Sequence, residues 1–236
     1  MLALLYAVVA AGANVLGALA VTSRRRWSPR GLELLLGVSA GFLLSVTVLS
    51  IFPEALRRGG DVAAYVALAG FVAVHLTQHV LAAHFHFGEE THAVAPGVGR
   101  SALIGLSLHT FVDGVAIVSG FGVSGQLGIL VFLAIFLHKV PEGLAISSMF
   151  LAAGATRGQA LAAAAALGAA TIVGALLTHY VAAIGTYGLA ASAGVTLYVA
   201  ASNLVPELQT RRRWSLAAAF LAGCLLYVAA HALTGA

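Results

Sequence analysis

Apolar runs bounded by charged residues or by Gly and Pro fall at about residues 2–22, 31–56, 62–83, 101–120, 126–152, 160–183, 188–209 and 214–234. A hydrocarbon layer of about 30 Å is crossed by roughly 20 helical residues, so each run has the length of one crossing. The pattern predicts an all-α integral membrane protein whose residues 1–236 form one transmembrane domain of eight helices. Alanine- and glycine-rich stretches such as 160–170 agree, because small side chains let membrane helices approach closely. One loop is long. It covers about 84–100, reads HFHFGEETHAVAPGVGR, and is polar, histidine-rich and interrupted by Pro96.

Composition supports the same class. The chain is 61% hydrophobic and 8% charged, where soluble domains average about 45–50% and 25%; a soluble chain of this length could not cover so much apolar surface. The 12 Lys and Arg outnumber the 8 Asp and Glu, which suggests nucleic acid only until their positions are read. Arg24, Arg25, Arg26, Arg30, Arg100, Arg157, Arg211, Arg212 and Arg213 occupy the loops after the first, third, fifth and seventh runs, whereas the opposite loops hold Arg57 and Arg58 alone. Lysine and arginine collect on the cytoplasmic side. The asymmetry is one of membrane orientation, not nucleic-acid binding, and it predicts that both termini lie outside. No basic residue precedes the first run and three arginines follow it, the pattern of a retained helix rather than a cleaved signal. The Arg and Ala bias points to a bacterial inner membrane. Cys224 is the single cysteine, which excludes a disulfide framework and any CxxC metal or redox motif.

A short pattern recurs four times: SIFPE at 50–54, HTFVD at 109–113, HKVPE at 138–142 and NLVPE at 203–207. Each sets an acid four residues after a polar side chain, so both heads share one helix face. Proline removes an i→i−4 bond and frees a carbonyl one turn earlier. Inside a membrane such backbone is tolerated only where it is packed in protein or lines a wet cavity. With the N-terminus outside, Glu54 lies near the outer end of the second run and Glu207 near the inner end of the seventh. Related motifs at opposite faces are what an inverted repeat produces.

His109 and His138 fall about 12 and 18 Å into their runs at about 1.5 Å per residue, near the bilayer centre. An ionisable group there costs about 2.5–3.5 kcal/mol on insertion scales, so Asp113, His138, Lys139 and Glu142 demand a use. One use is a helix–helix clamp, a neutral histidine bonded to a protonated acid. The other is favoured because two such pairs coincide at one depth: His109, Asp113, His138 and Glu142 make a four-ligand nitrogen and oxygen site suited to zinc, iron or manganese.

HTFVDG at 109–114 and HKVPEG at 138–143, in an eight-run layout with a histidine-bearing loop after the third run, resemble the ZIP (Zrt/Irt-like) divalent metal transporters over nearly the whole chain. The resemblance implies transport toward the cytoplasm, zinc foremost with iron, manganese or cadmium as alternatives, through a site between helices 4 and 5. It implies a homodimer in membrane lipid, an inverted-repeat arrangement of three, two and three helices, and movement of helices 1, 4, 5 and 6 against the rest. The metal is then substrate, no resident cofactor is expected, and the protein is not an enzyme. Some family members hold a second metal beside the first, bound by an Asn after the first His, an acid in helix 5 and a Glu in helix 6. The matching positions here are Thr110, Lys139 and Thr171. A charged ammonium has three donors and no acceptor, so Lys139 cannot ligate, but it can stand in the second cation's place. One transported metal is expected, held more weakly because Lys139 repels it.

Ser50, Glu54, Asn203 and Glu207 are expected way-stations at the entrance and exit. His84, His86 and His92, beside Glu89 and Glu90, form either a low-affinity metal-collecting segment or a solvated loop. His75 and His79 are read as histidines bonded between helices, and His179 and His231 as interfacial. Two other functions compete. An intramembrane zinc hydrolase would need a bound water and a general base, and its usual HExxH is absent. An ion-coupled carrier of an organic solute would need acids in a cavity but not two histidines facing them.

Overall fold

A computed structural model describes residues 1–23, 28–81, 98–210 and 213–235, and every regular element among them is helical. Helix α1 is Leu2–Thr22. Helix α2, Pro29–Val46, continues through a π turn at Thr47–Ile51 into α3, Phe52–Leu76, which ends in a second π turn at Thr77–Leu81. Then come α4 (Val98–Val123), α5 (Gly125–Ala152), α6 (Arg157–Tyr180) and α7 (Ala182–Tyr198). A third π turn, Val199–Leu204, leads into α8 (Val205–Thr210), and α9 is Trp214–Thr234.

Seven stretches of the described residues are long and apolar enough to cross a membrane. One of them, Arg30–His79, has 50 residues and takes in two of the eight apolar runs. Helical dihedrals break within it at Gly60, where φ is 52° and ψ −141°. Glycine adopts that left-handed φ without the penalty a Cβ would bring. The break is confined to one residue, which is why eight runs become seven continuous helical stretches.

The prolines are accommodated in two ways. Ahead of Pro53 and Pro206 the hydrogen-bond ladder widens, with Phe52 N–H donating to the Thr47 carbonyl and Val205 N–H to that of Ala200. Pro141 instead sits in unbroken α-helix. The carbonyl it orphans, that of Leu137, accepts from the Ser39 hydroxyl of α2 at 2.9 Å.

Helices α1, α4, α5 and α6 pack on one another, while α3 packs on α7 and α2 on α9; α4 against α7 and α2 against α5 join the two groups. Two crossings hold the candidate site. A Cβ on Gly143 of α5 would overlap the Asn14 carbonyl of α1, and one on Gly17 of α1 would overlap the Val140 carbonyl of α5. Likewise a Cβ on Gly114 of α4 would overlap the Thr171 carbonyl of α6. Gly114 and Gly143 each follow the acid of a central motif, so these helices meet backbone to backbone at the depth of the acids.

Candidate metal centre

Helix α4 supplies His109, Thr110 and Asp113, helix α5 supplies His138, Lys139 and Glu142, and helix α6 adds Thr171; all seven are buried. The i, i+4 spacing turns each histidine and its acid to one face, but the contacts run crosswise between the helices. His109 Nε2 lies 3.4 Å from Glu142 Oε1, and His138 Nε2 lies 3.3 Å from Asp113 Oδ2. His109, Asp113 and Glu142 each offer a ligand atom, all within 4.8 Å of one another. His138 joins them through Asp113.

The histidine tautomer follows from its backbone partner. His138 Nδ1 is 2.9 Å from the Ala134 carbonyl, which can only accept, so Nδ1 carries the proton. Nε2 is then the ring atom that faces Asp113 Oδ2, at 3.3 Å, and the one through which the imidazole could ligate a metal. His109 Nδ1 is buried and has no partner among the described residues.

Lys139 lies between the two acids. Its Nζ is 2.7 Å from Asp113 Oδ2 and 2.7 Å from Glu142 Oε2, and the residue is completely buried. Two carboxylates and one ammonium would be costly to bury singly; together they offset part of one another's desolvation. The Thr110 hydroxyl donates to Glu142 Oε1 at 2.6 Å, and Thr171 Oγ1 donates to the Thr110 carbonyl at 3.1 Å. Both threonines are thus engaged in holding α4, α5 and α6 in register.

The outer motif copies stand apart from this cluster. Glu54 is bonded to Arg57 and Arg58 of its own helix, at 2.6–2.7 Å, and Ser50 Oγ is 2.6 Å from Tyr227 OH of α9. Asn203 donates to Gln78 Oε1 at 3.1 Å, and Glu207 lies in the first turn of α8. His75 and His79 stack with ring centres 4.6 Å apart, and His79 Nδ1 lies 3.1 Å from Tyr198 OH of α7, an interhelical bond of the kind their spacing suggests. His84, His86 and His92, with Glu89 and Glu90, lie outside the described residues.

Sequence reasoning does not single out Asn14. It is completely buried, its backbone touches Gly143, and among the described residues neither amide atom has a partner. The one signal in the sequence is its isolation as the sole amide in the first apolar run.

The ZIP Zinc transporter family profile matches residues 89–232. Zinc transporter YKE4 of Saccharomyces cerevisiae is 25% identical over 234 residues, covering 80% of this chain and 68% of that protein. Human Zinc transporter ZIP6 is 35% identical over 112 residues, 45% of this chain and 15% of its own length. Zinc transporter ZIP9-A of Xenopus laevis is 28% identical over 152 residues, 59% of this chain and 50% of its own length.

Proposed function

The chain belongs to the ZIP zinc transporter family, the profile match covering more than half of it, and from that premise we propose that it carries a divalent metal across a cell membrane toward the cytoplasm. Zinc is the foremost substrate; iron, manganese and cadmium suit the same donors. The ligands are His109, Asp113, His138 and Glu142, between α4 and α5. The observation that carries this reading is the crosswise pairing of two buried imidazoles with two buried carboxylates from adjacent helices.

Each protomer takes one metal at this site. Lys139 supplies the second positive charge, and Thr110 and Thr171 commit their hydroxyls to neighbouring oxygen atoms. The 50 residues of Arg30–His79 would extend about 75 Å as one helix at about 1.5 Å per residue, more than twice a hydrocarbon layer of about 30 Å. We therefore count eight crossings, with the second and third meeting at Gly60, in an inverted-repeat arrangement of three, two and three. The arginine asymmetry puts both termini outside. The grouping of α1, α4, α5 and α6 supports their movement as a unit against the remaining helices, in a homodimer. Ser50, Glu54, Asn203 and Glu207 line the route, and the loop bearing His84, His86 and His92 collects metal at the exit.

The test is uptake by proteoliposomes holding the full chain, with competing divalent metals and at two pH values. Saturable zinc uptake is expected, lost in His109→Ala, with one site-bound metal per protomer by elemental analysis and a second in Lys139→Asp, where a carboxylate replaces the ammonium. No metal uptake by well-inserted protein would overturn the function. Two site-bound metals in the parent would overturn the role of Lys139.

A further inference from the structure

An unpartnered amide lies on α1, at its crossing with the helix that bears the lysine of this site. Asn14 is completely buried, and among the described residues neither Oδ1 nor Nδ2 has a hydrogen-bond partner. An amide left so in an apolar interior is costly, and α1 is otherwise nearly all apolar. The Asn14 backbone is pressed against Gly143. Lys139 and Gly143 are related as i and i+4, so they share one face of α5, and they are about 6 Å apart along its axis at about 1.5 Å per residue. That is within the reach of a lysine side chain.

Lys139 meanwhile engages the two acids that the metal needs, with Nζ 2.7 Å from an oxygen of each. A metal that takes Asp113 and Glu142 withdraws electron density from the oxygens that accept from Lys139 and repels its charge. In this structure the ammonium is completely enclosed by protein. It needs another acceptor within the protein.

We infer that Asn14 is that acceptor: as the metal binds Asp113 and Glu142, the Lys139 ammonium turns from the carboxylates to Asn14 Oδ1. Asn14 is thus a positioning residue that acts through Lys139. It sets how readily the site exchanges its tethered cation for a metal. The inference rests on the metal-binding reading proposed above.

Zinc titration calorimetry on the purified full chain tests it, with Asn14→Leu and Asn14→Asp each made in the parent and in Lys139→Ala. Loss of one charge-assisted hydrogen bond should weaken zinc binding by about tenfold or more in Asn14→Leu, and Asn14→Asp, which keeps an acceptor, should restore it. In the Lys139→Ala background the Asn14→Leu loss should shrink below about threefold, because the two residues act together. Asn14→Ala serves in place of Asn14→Leu where the larger side chain prevents folding. An equal loss in both backgrounds would overturn the inference, since the amide would then act on the metal or the fold directly. Parent-like affinity in Asn14→Leu would overturn it as well. Zinc binding by the parent without coupling between residues 14 and 139 sinks this inference alone; no zinc binding by the parent sinks the functional reading beneath it.

Discussion

The inner and outer copies of the repeated motif share a spacing and differ in the residue after the acid. HTFVD and HKVPE are each succeeded by glycine, SIFPE by Ala55 and NLVPE by Leu208. Gly114 and Gly143 admit a neighbouring backbone where a Cβ would overlap it. Backbone contact immobilises the helix at the residue beside the acid, with no side chain free to yield. At the outer copies a π turn precedes the proline instead, and Glu54 turns to arginines of its own helix. One spacing therefore yields two environments, a buried cluster at a backbone-to-backbone crossing and a set of outer residues engaged elsewhere. Helix spacing makes a pair of polar heads, but packing decides whether that pair becomes a site.

The sharpest test of this contrast falls on the proposed inner ligands. Loss of a residue that merely orients a metal ligand costs about 10–100-fold, so His109→Ala or Glu142→Ala should lower metal uptake by more than about 100-fold in protein that still reaches the membrane. Uptake near the parent rate in both variants would dissolve the distinction between the two kinds of motif copy.

Next in size is a test of the glycines. Gly143→Val should leave little folded protein. Overpacking costs about 1–3 kcal/mol where side chains can shift, and here the overlapping atoms belong to the Asn14 backbone. Ala55→Val is the matched outer change. Ala55 lines a cavity of about 550 Å³, so thermal unfolding of this variant should stay closer to the parent's than that of Gly143→Val. Equal damage from both substitutions would mean that the residue after the acid has no special packing role.

What could be read from the sequence, and what could not, divides along physical lines. The apolar runs are legible because hydropathy is local and the bilayer sets their length. That His109 and His138 fall well inside their apolar runs comes from counting residues. The crosswise pairing of His109 with Glu142 and His138 with Asp113 is not legible, because it depends on the rotation and stagger of one helix against another. The fusion of two runs around Gly60 turns on the dihedrals of one residue. Asn14 required knowing which face of α1 is enclosed on all sides; hydropathy alone shows only that it is out of place.

A smaller effect is expected at the outer acids. Glu54→Gln removes a partly exposed ion pair with Arg57 and Arg58, and such pairs contribute little to stability. If Glu54 draws cations toward the entrance, its loss should slow uptake by less than about fivefold, with the deficit fading at high ionic strength as screening shortens the reach of the charge. Complete loss of uptake would move Glu54 from the route to the site itself.

A further expected effect, on stability rather than uptake, concerns how the inner proline is tolerated. Pro141 has no N–H, so the Leu137 carbonyl lacks its helical donor, and the Ser39 hydroxyl supplies one across the α2–α5 contact. Ser39 is completely buried, and its hydroxyl is also within 2.7 Å of the Leu35 carbonyl. Ser39→Ala should therefore cost about 1 kcal/mol, the worth of one neutral hydrogen bond, raised toward about 3 kcal/mol if no water reaches the orphaned carbonyl. The same substitution made in Pro141→Ala should cost less, because the introduced alanine would return an N–H to the Leu137 carbonyl and leave Ser39 redundant there. Reversible thermal or denaturant unfolding of the four proteins in this cycle measures the coupling. Additive losses would show that Ser39 serves its own helix through Leu35 alone. The inner motif would then keep its proline in α-helix for a reason other than the neighbouring hydroxyl.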